Sequence, residues 1–261
     1  MKRLVLLPLA LLAACATQQA ATPDVSVPYN QREVQGQKEP SERAKIHTSL
    51  AANYYVGRNY AVALEEANKA LQDDSSYVPA LSILGLTYME LGQDGQAQQA
   101  FDKAISINPS DSDVRNNYGL FLCQRKQQEE GIKQFMLALR NPLYQSPERA
   151  WANAGDCARS KGDFAAAETY YTRALERRPG FGRGLLGLGE LSYRRGDYKD
   201  SRAMLDRYAK ENPPTAESLW LGVRTERKLG DRQAEADLSR QLRRTYPESP
   251  QAKLLQGGKF D

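Results

Sequence analysis

The 261-residue sequence has one histidine, His47, and three cysteines, Cys15, Cys123 and Cys157, none in CxxC spacing. A single histidine excludes a multi-histidine metal site and a histidine-based catalytic triad. The cysteine spacing excludes a zinc ribbon and a thioredoxin-type motif. There is no Gly-rich phosphate loop and no Ser-His-Asp set, so neither catalysis nor a cofactor, metal or small-molecule substrate is expected. With 13 prolines and 19 glycines, the chain is not collagen-like or wholly disordered. Charge of one sign is also lacking. The 36 basic and 32 acidic residues leave +4, and 34 against 32, or about +2, if Lys2 and Arg3 are removed with a leader. That balance argues against nucleic acid or another polyanion as partner. No apolar run is long enough to cross a bilayer; Leu4 to Leu12 spans nine residues.

That short run follows the basic Met1-Lys2-Arg3 and ends at Leu12-Ala13-Ala14-Cys15. The pattern matches the bacterial lipobox, in which small residues let a signal peptidase reach the bond before a cysteine that carries lipid. Residues 1–14 are expected to be a signal peptide and Cys15 the lipidated first residue. An ordinary secretory signal that includes a cysteine is the alternative. Several acyl chains would anchor the protein stably, each buried CH₂ contributing about 0.8 kcal/mol. Ala16, rather than Asp, follows Cys15. By resemblance to other Gram-negative lipoproteins, this implies the periplasmic face of the outer membrane. Residues 15–40 contain Pro23, Pro28 and Pro40 with few large apolar residues, the composition of a flexible tether.

Beyond the tether the sequence repeats. Small residues recur at Ala51, Gly85, Gly119, Gly155, Gly189 and Gly222, with spacings of 34, 34, 36, 34 and 33. A second series, Ala70, Ala104, Ala138, Ala174, Tyr208 and Gln241, has the same spacings. The cleanest unit carries Leu81, Leu84-Gly85, Tyr88, Gly92, Ala97, Phe101, Ala104 and Pro109. It resembles the tetratricopeptide repeat. Gly85 and Ala97 permit two antiparallel helices to approach, Tyr88 and Phe101 fill the space beside them, and Gly92 and Pro109 end the helices.

The expectation is an all-α fold, a right-handed superhelix of six tetratricopeptide repeats over residues 41–249. The units fall at about 44–77, 78–111, 112–145, 148–181, 182–214 and 215–248, with a frayed tail over 250–261. Helix N-caps are expected at Ser41, Ser146, Asp163, Asp197 and Thr215. The two-residue insertion falls at Asn141-Pro142-Leu143-Tyr144.

Cys123 and Cys157 lie 34 apart on the first helices of adjacent units. Such helices pack side by side, and an exported chain meets oxidising conditions, so a disulfide is expected. Two separate buried thiols are the alternative. In this repeat family the first helices line the concave face, with inward positions near the fifth, ninth and twelfth residues of each unit. For units one to three these positions suggest an apolar partner-binding groove around Tyr55, Leu86, Met89, Asn116 and Leu120. Units four and five place more charge there, at Asp156, Arg159 and Glu190. His47 is read as a packing residue, and the Arg-rich pairs such as Arg177-Arg178 and Arg243-Arg244 as solvated helix ends.

Asn116-Asn117-Tyr118-Gly119-Leu120-Phe121-Leu122-Cys123, with the lipobox and six repeats, resembles the PilW/PilF lipoproteins of type IV pilus biogenesis. Trp151-Ala152-Asn153-Ala154-Gly155-Asp156-Cys157, Leu219-Trp220-Leu221-Gly222-Val223-Arg224 and Leu242-Arg243-Arg244-Thr245-Tyr246-Pro247 extend the likeness along nearly the whole chain. The resemblance implies a pilotin: a lipid-anchored scaffold that binds the pilus secretin and promotes its localisation and multimerisation. Some members of that family also carry the cysteine pair. The competing expectation is a general periplasmic scaffold organising cell-envelope or peptidoglycan enzymes.

Overall fold

The computed structural model of the chain describes residues 41–260. The expected signal peptide, the lipidation site Cys15 and the tether to residue 40 lie outside these residues. The described residues form thirteen α-helices and no strand. Twelve of them are antiparallel pairs, one pair per unit: α1 (Glu42–Val56) with α2 (Tyr60–Asp73), α3 (Val78–Glu90) with α4 (Asp94–Ile107), and α5 (Ser112–Gln124) with α6 (Gln128–Leu139). They continue as α7 (Pro147–Lys161) with α8 (Phe164–Arg177), α9 (Gly182–Arg195) with α10 (Tyr198–Glu211), and α11 (Ala216–Leu229) with α12 (Arg232–Thr245). A thirteenth helix, α13 (Pro250–Gln256), follows.

The pairs of units two, three and four are held at a small-to-aromatic crossing. A methyl group on Gly85 would meet the Phe101 ring at 2.8 Å, one on Gly119 the Phe135 ring at 2.7 Å, and one on Gly155 the Tyr171 ring at 2.6 Å. The rings themselves are fully buried. The turn between paired helices passes through a left-handed residue. Gly92, Gly162, Gly196 and Gly230 take that conformation (φ +71°, +88°, +87° and +79°), and in units one and three Arg58 and Lys126 do (φ +58° and +62°).

These turns correct the register of unit six. Gly196 and Gly230 are 34 apart, and so are the starts of α9 and α11 and of α10 and α12. The counterparts of Gly189 and Tyr208 are therefore Val223 and Leu242, not Gly222 and Gln241. Val223 and Leu242 are both fully buried. The apparent 33-residue spacing came from aligning on a glycine that lies one position early.

Capping follows expectation at Ser41, Asp163 and Thr215, whose side chains accept from the backbone N–H of Ala44, Ala166 and Ser218. Ser146 and Asp197 occupy N-cap positions without a side-chain cap bond; Asp197 instead accepts from Arg195 Nε at 3.2 Å. The expected frayed tail is replaced by α13. Its Ala252 and Leu255 bury against Leu219, Trp220, Val223 and Leu242, and Phe260 stacks on Trp220 with ring centroids 5.6 Å apart. Burial of this apolar stripe, with Ser249 capping the helix through Ala252 N–H, outweighs the entropy of a free end.

Candidate functional site

The expected groove of units one to three is filled. Leu86 and Met89 are core residues, clustered with Phe101, Val114, Phe121 and Leu122. Asn116 is buried and accepts a hydrogen bond from Asn153 Nδ2 at 2.8 Å. Leu120 is half-buried and packs against the cores on both sides of it. Tyr55 is half-buried beside Tyr60, and burial, then the nearby Glu90, pushes its hydroxyl pKa up to about 12. Apolar residues at the ninth position draw adjacent first helices together, because closing the seam removes them from water. The result is an interior rather than a surface for a partner.

The cysteine pair does meet. Cys123 and Cys157 form a disulfide joining α5 to α7, with Cα atoms 5.6 Å apart, inside the usual range for such bonds. A methyl group at Gly131 would overlap Cys123 Sγ, so the bridge occupies the space a side chain there would need. The bond lies across the only interval between units that departs from 34 residues.

His47 is not simply a packing residue. Its Nδ1 lies 2.7 Å from Glu66 Oε2, and Lys69 Nζ donates to Glu66 Oε1 at 2.8 Å. The bonds from Lys69 and then His47 hold the Glu66 carboxyl below the usual carboxylate range.

Two surfaces among the described residues stand out. The first is the outer face of α1. Ile46, Leu50 and Tyr54 recur every four residues on one side of the helix, and are 57%, 38% and 40% exposed. Their counterparts in later units are all buried or half-buried. For Ile46 these are Ala80, Val114, Ala150, Gly184 and Ser218; for Leu50, Leu84, Tyr118, Ala154, Leu188 and Gly222; for Tyr54, Tyr88, Leu122, Ala158, Ser192 and Glu226. In those units the stripe faces the second helix of the preceding pair. Ala150 clusters with Ala138 of α6, and Gly184 sits against Leu175 of α8. The α1 stripe is thus a repeat interface without a preceding helix among the described residues.

The second surface is a cleft of about 420 Å³ formed by α7, α9, α11 and α13. Corrected register explains it. The ninth-position column reads Ala52, Leu86, Leu120, Asp156, Glu190, Arg224, so it turns from apolar to charged at unit four. Seams carrying these charges stay open, because desolvating an ion costs several kcal/mol. Asp156 accepts from Tyr171 Oη and from Arg183 Nε, each at 2.6 Å, and Arg159 lies 3.7 Å away. Burial and then the Asp156 charge raise the Tyr171 hydroxyl pKa, which keeps Tyr171 protonated as the donor. Glu190 pairs with Arg224 at 2.7 Å and Arg194 at 3.6 Å. The Arg224 guanidinium lies 4.6 Å from the Tyr193 ring centre and 5.7 Å from that of Trp220. Trp220 and Arg224 were missed in the sequence because unit six was read one residue out of register; the Gly196–Gly230 spacing was the available signal.

Among the described residues no cluster of His, Cys, Asp and Glu could hold a metal ion, and no helix is long and apolar enough to cross a membrane.

Comparison with known proteins adds to this geometry. Tetratricopeptide-repeat family models match residues 78–111, 100–133, 137–180 and 152–216. The chain is 26% identical over 230 residues to the type IV pilus assembly protein PilF of Pseudomonas aeruginosa, covering 88% of this chain and 91% of that protein. The crystal structure of PilW, described as a widely conserved type IV pilus biogenesis factor, is 30% identical with a TM-score of 0.71, over 83% of this chain and 99% of that one. The solved Pseudomonas aeruginosa PilF is 27% identical with a TM-score of 0.71, over 85% of this chain and all (100%) of that one.

Proposed function

The chain belongs to the PilF and PilW family of tetratricopeptide-repeat proteins of type IV pilus biogenesis, and from that premise we propose that it is the pilotin of its secretin. In this reading a lipid on Cys15 anchors it at the periplasmic face of the outer membrane, and the scaffold binds the pilus secretin to promote its localisation and multimerisation. The observation that carries the binding step is the α1 stripe of Ile46, Leu50 and Tyr54. Every later unit covers this stripe with a preceding helix. An amphipathic helix of the secretin, laid where a preceding second helix would lie, would bury the same apolar surface.

The test is Ile46→Glu with Leu50→Glu. Both side chains are solvent-accessible, so helical content should be retained while heat- and detergent-resistant secretin multimers are lost from outer membranes. Normal multimers in that variant would refute the docking face, and normal multimers in a gene deletion would refute the pilotin role itself. Cys15→Ser should abolish radiolabelled palmitate incorporation and release the protein from the outer-membrane fraction; unchanged labelling would refute the anchor.

A further inference from the structure

We propose that the cleft between α7, α9, α11 and α13 is a second binding site, and that it takes an acidic peptide segment whose carboxylates seat on Arg183 and Arg224. The site is at the far end of the stack from α1, and its argument does not rest on the secretin reading.

The cleft has more donors than acceptors. Asp156 and Glu190 are each shared between two guanidinium groups, Arg159 with Arg183 and Arg194 with Arg224. Asp156 also takes the Tyr171 hydroxyl proton. These carboxylates are therefore engaged, while the arginines retain N–H groups without acceptors. Arg224 has only Glu190 Oε2 as hydrogen-bond acceptor, and its Nε is buried with none. Arg183 uses Nε on Asp156 and Nη1 on Asn153 Oδ1, at 2.6 Å each, and is about half exposed. A planar guanidinium with spare donors, held in place by ring contacts and an ion pair, suits a carboxylate better than any neutral group.

The fold also sets up this preference. Contacts with the Tyr193 and Trp220 rings and the ion pair with Glu190 hold Arg224 in place, so little side-chain freedom is lost when a ligand arrives. Trp220 is buried, with Arg224 5.7 Å from its ring centre and Phe260 stacked on it, which leaves little indole surface open for a sugar ring. Glu217, the third acid on the lining, makes none of the ion pairs above and opposes an anion. Its removal should therefore strengthen binding.

The experiment uses the full chain and a fluorescein-labelled tetraglutamate peptide, followed by fluorescence anisotropy. Tetraglutamate should bind, with affinity falling as salt rises, and a tetraglutamine peptide should not. Arg183→Gln and Arg224→Lys should each weaken binding by about tenfold or more, the second while retaining the charge, and Glu217→Gln should tighten it. The ¹⁵N–¹H resonance of Arg224 Nε should shift on titration in the unsubstituted protein. Circular dichroism of the variants separates loss of fold from loss of binding. Absence of tetraglutamate binding, undiminished binding in both folded arginine variants, or equal competition by short-chain polyphosphate would each overturn the proposal.

Discussion

Breaking the Cys123–Cys157 bond should destabilise the centre of the stack far more than its ends. The bond closes a loop with a sequence separation of 34, and the chain-entropy relation for that length predicts a loss of about 3–4 kcal/mol. A repeat array unfolds with contributions from each unit and its neighbours, so the effect should be local. The two tryptophans make this measurable. Trp151, on α7, packs on Tyr170 with ring centroids 5.8 Å apart, whereas Trp220 sits in the C-terminal core. The assay is urea unfolding of Cys123→Ala/Cys157→Ala followed by tryptophan fluorescence, in paired Trp220→Phe and Trp151→Phe backgrounds. With a urea slope of about 2–3 kcal/mol per molar, the Trp151 midpoint should fall by about 1–2 M and the Trp220 midpoint by much less. Reducing the parent protein should reproduce the shift. A Trp151 change below about 1 kcal/mol on the same scale would show that the folded units, rather than the covalent closure, fix the α5–α7 contact.

Lys126→Gly and Arg58→Gly should each stabilise the fold by about 0.5–1 kcal/mol, since both non-glycine residues hold a left-handed backbone; thermal melts decide, and a lower midpoint refutes. Tyr144 is buried and its hydroxyl has no hydrogen-bond partner, so Tyr144→Phe should raise stability by up to about 1 kcal/mol, read by chemical denaturation. The depressed Glu66 carboxyl predicts a pH effect. Its contribution is complete above the ordinary carboxylate value of about 4.3 and is lost as pH falls through the lower folded-state value. Melts from neutral to acid pH should therefore show a loss below that point that Glu66→Gln removes; identical profiles would refute it.

The pairing of helices was legible from the sequence because it depends on local features: glycine opposite an aromatic ring, a breaker between helices, and a fixed period. The meeting of Cys123 and Cys157 was legible because both lie on first helices of adjacent units, which pack side by side, although the two-residue insertion leaves them two positions out of strict equivalence. The binding surface was not. Whether Leu86 faces a groove or an interior depends on how tightly neighbouring pairs close, and that is decided by several units together. Asn116 likewise read as a surface residue because its partner, Asn153, is 37 residues away. The charged cleft was half visible in Asp156, Arg159 and Glu190. Its other half disappeared because a chance glycine at 222 drew the alignment one residue early. His47 found a carboxylate through the tertiary contact between α1 and α2, which no spacing within one helix reveals.

The two ends of the stack are chemically unlike, and the difference bears on contacts between copies. An open α1 face seeks the second helix of a preceding unit, and α12 of another copy is the nearest equivalent such a face could find. Association of that kind is heterologous, so it would not close on itself and would propagate as a filament. Helix α13 packs on α11 and α12 and so obstructs that end. The short final helix therefore covers the surface that such a filament would need. Its removal should expose that surface and allow head-to-tail association, detectable by light scattering.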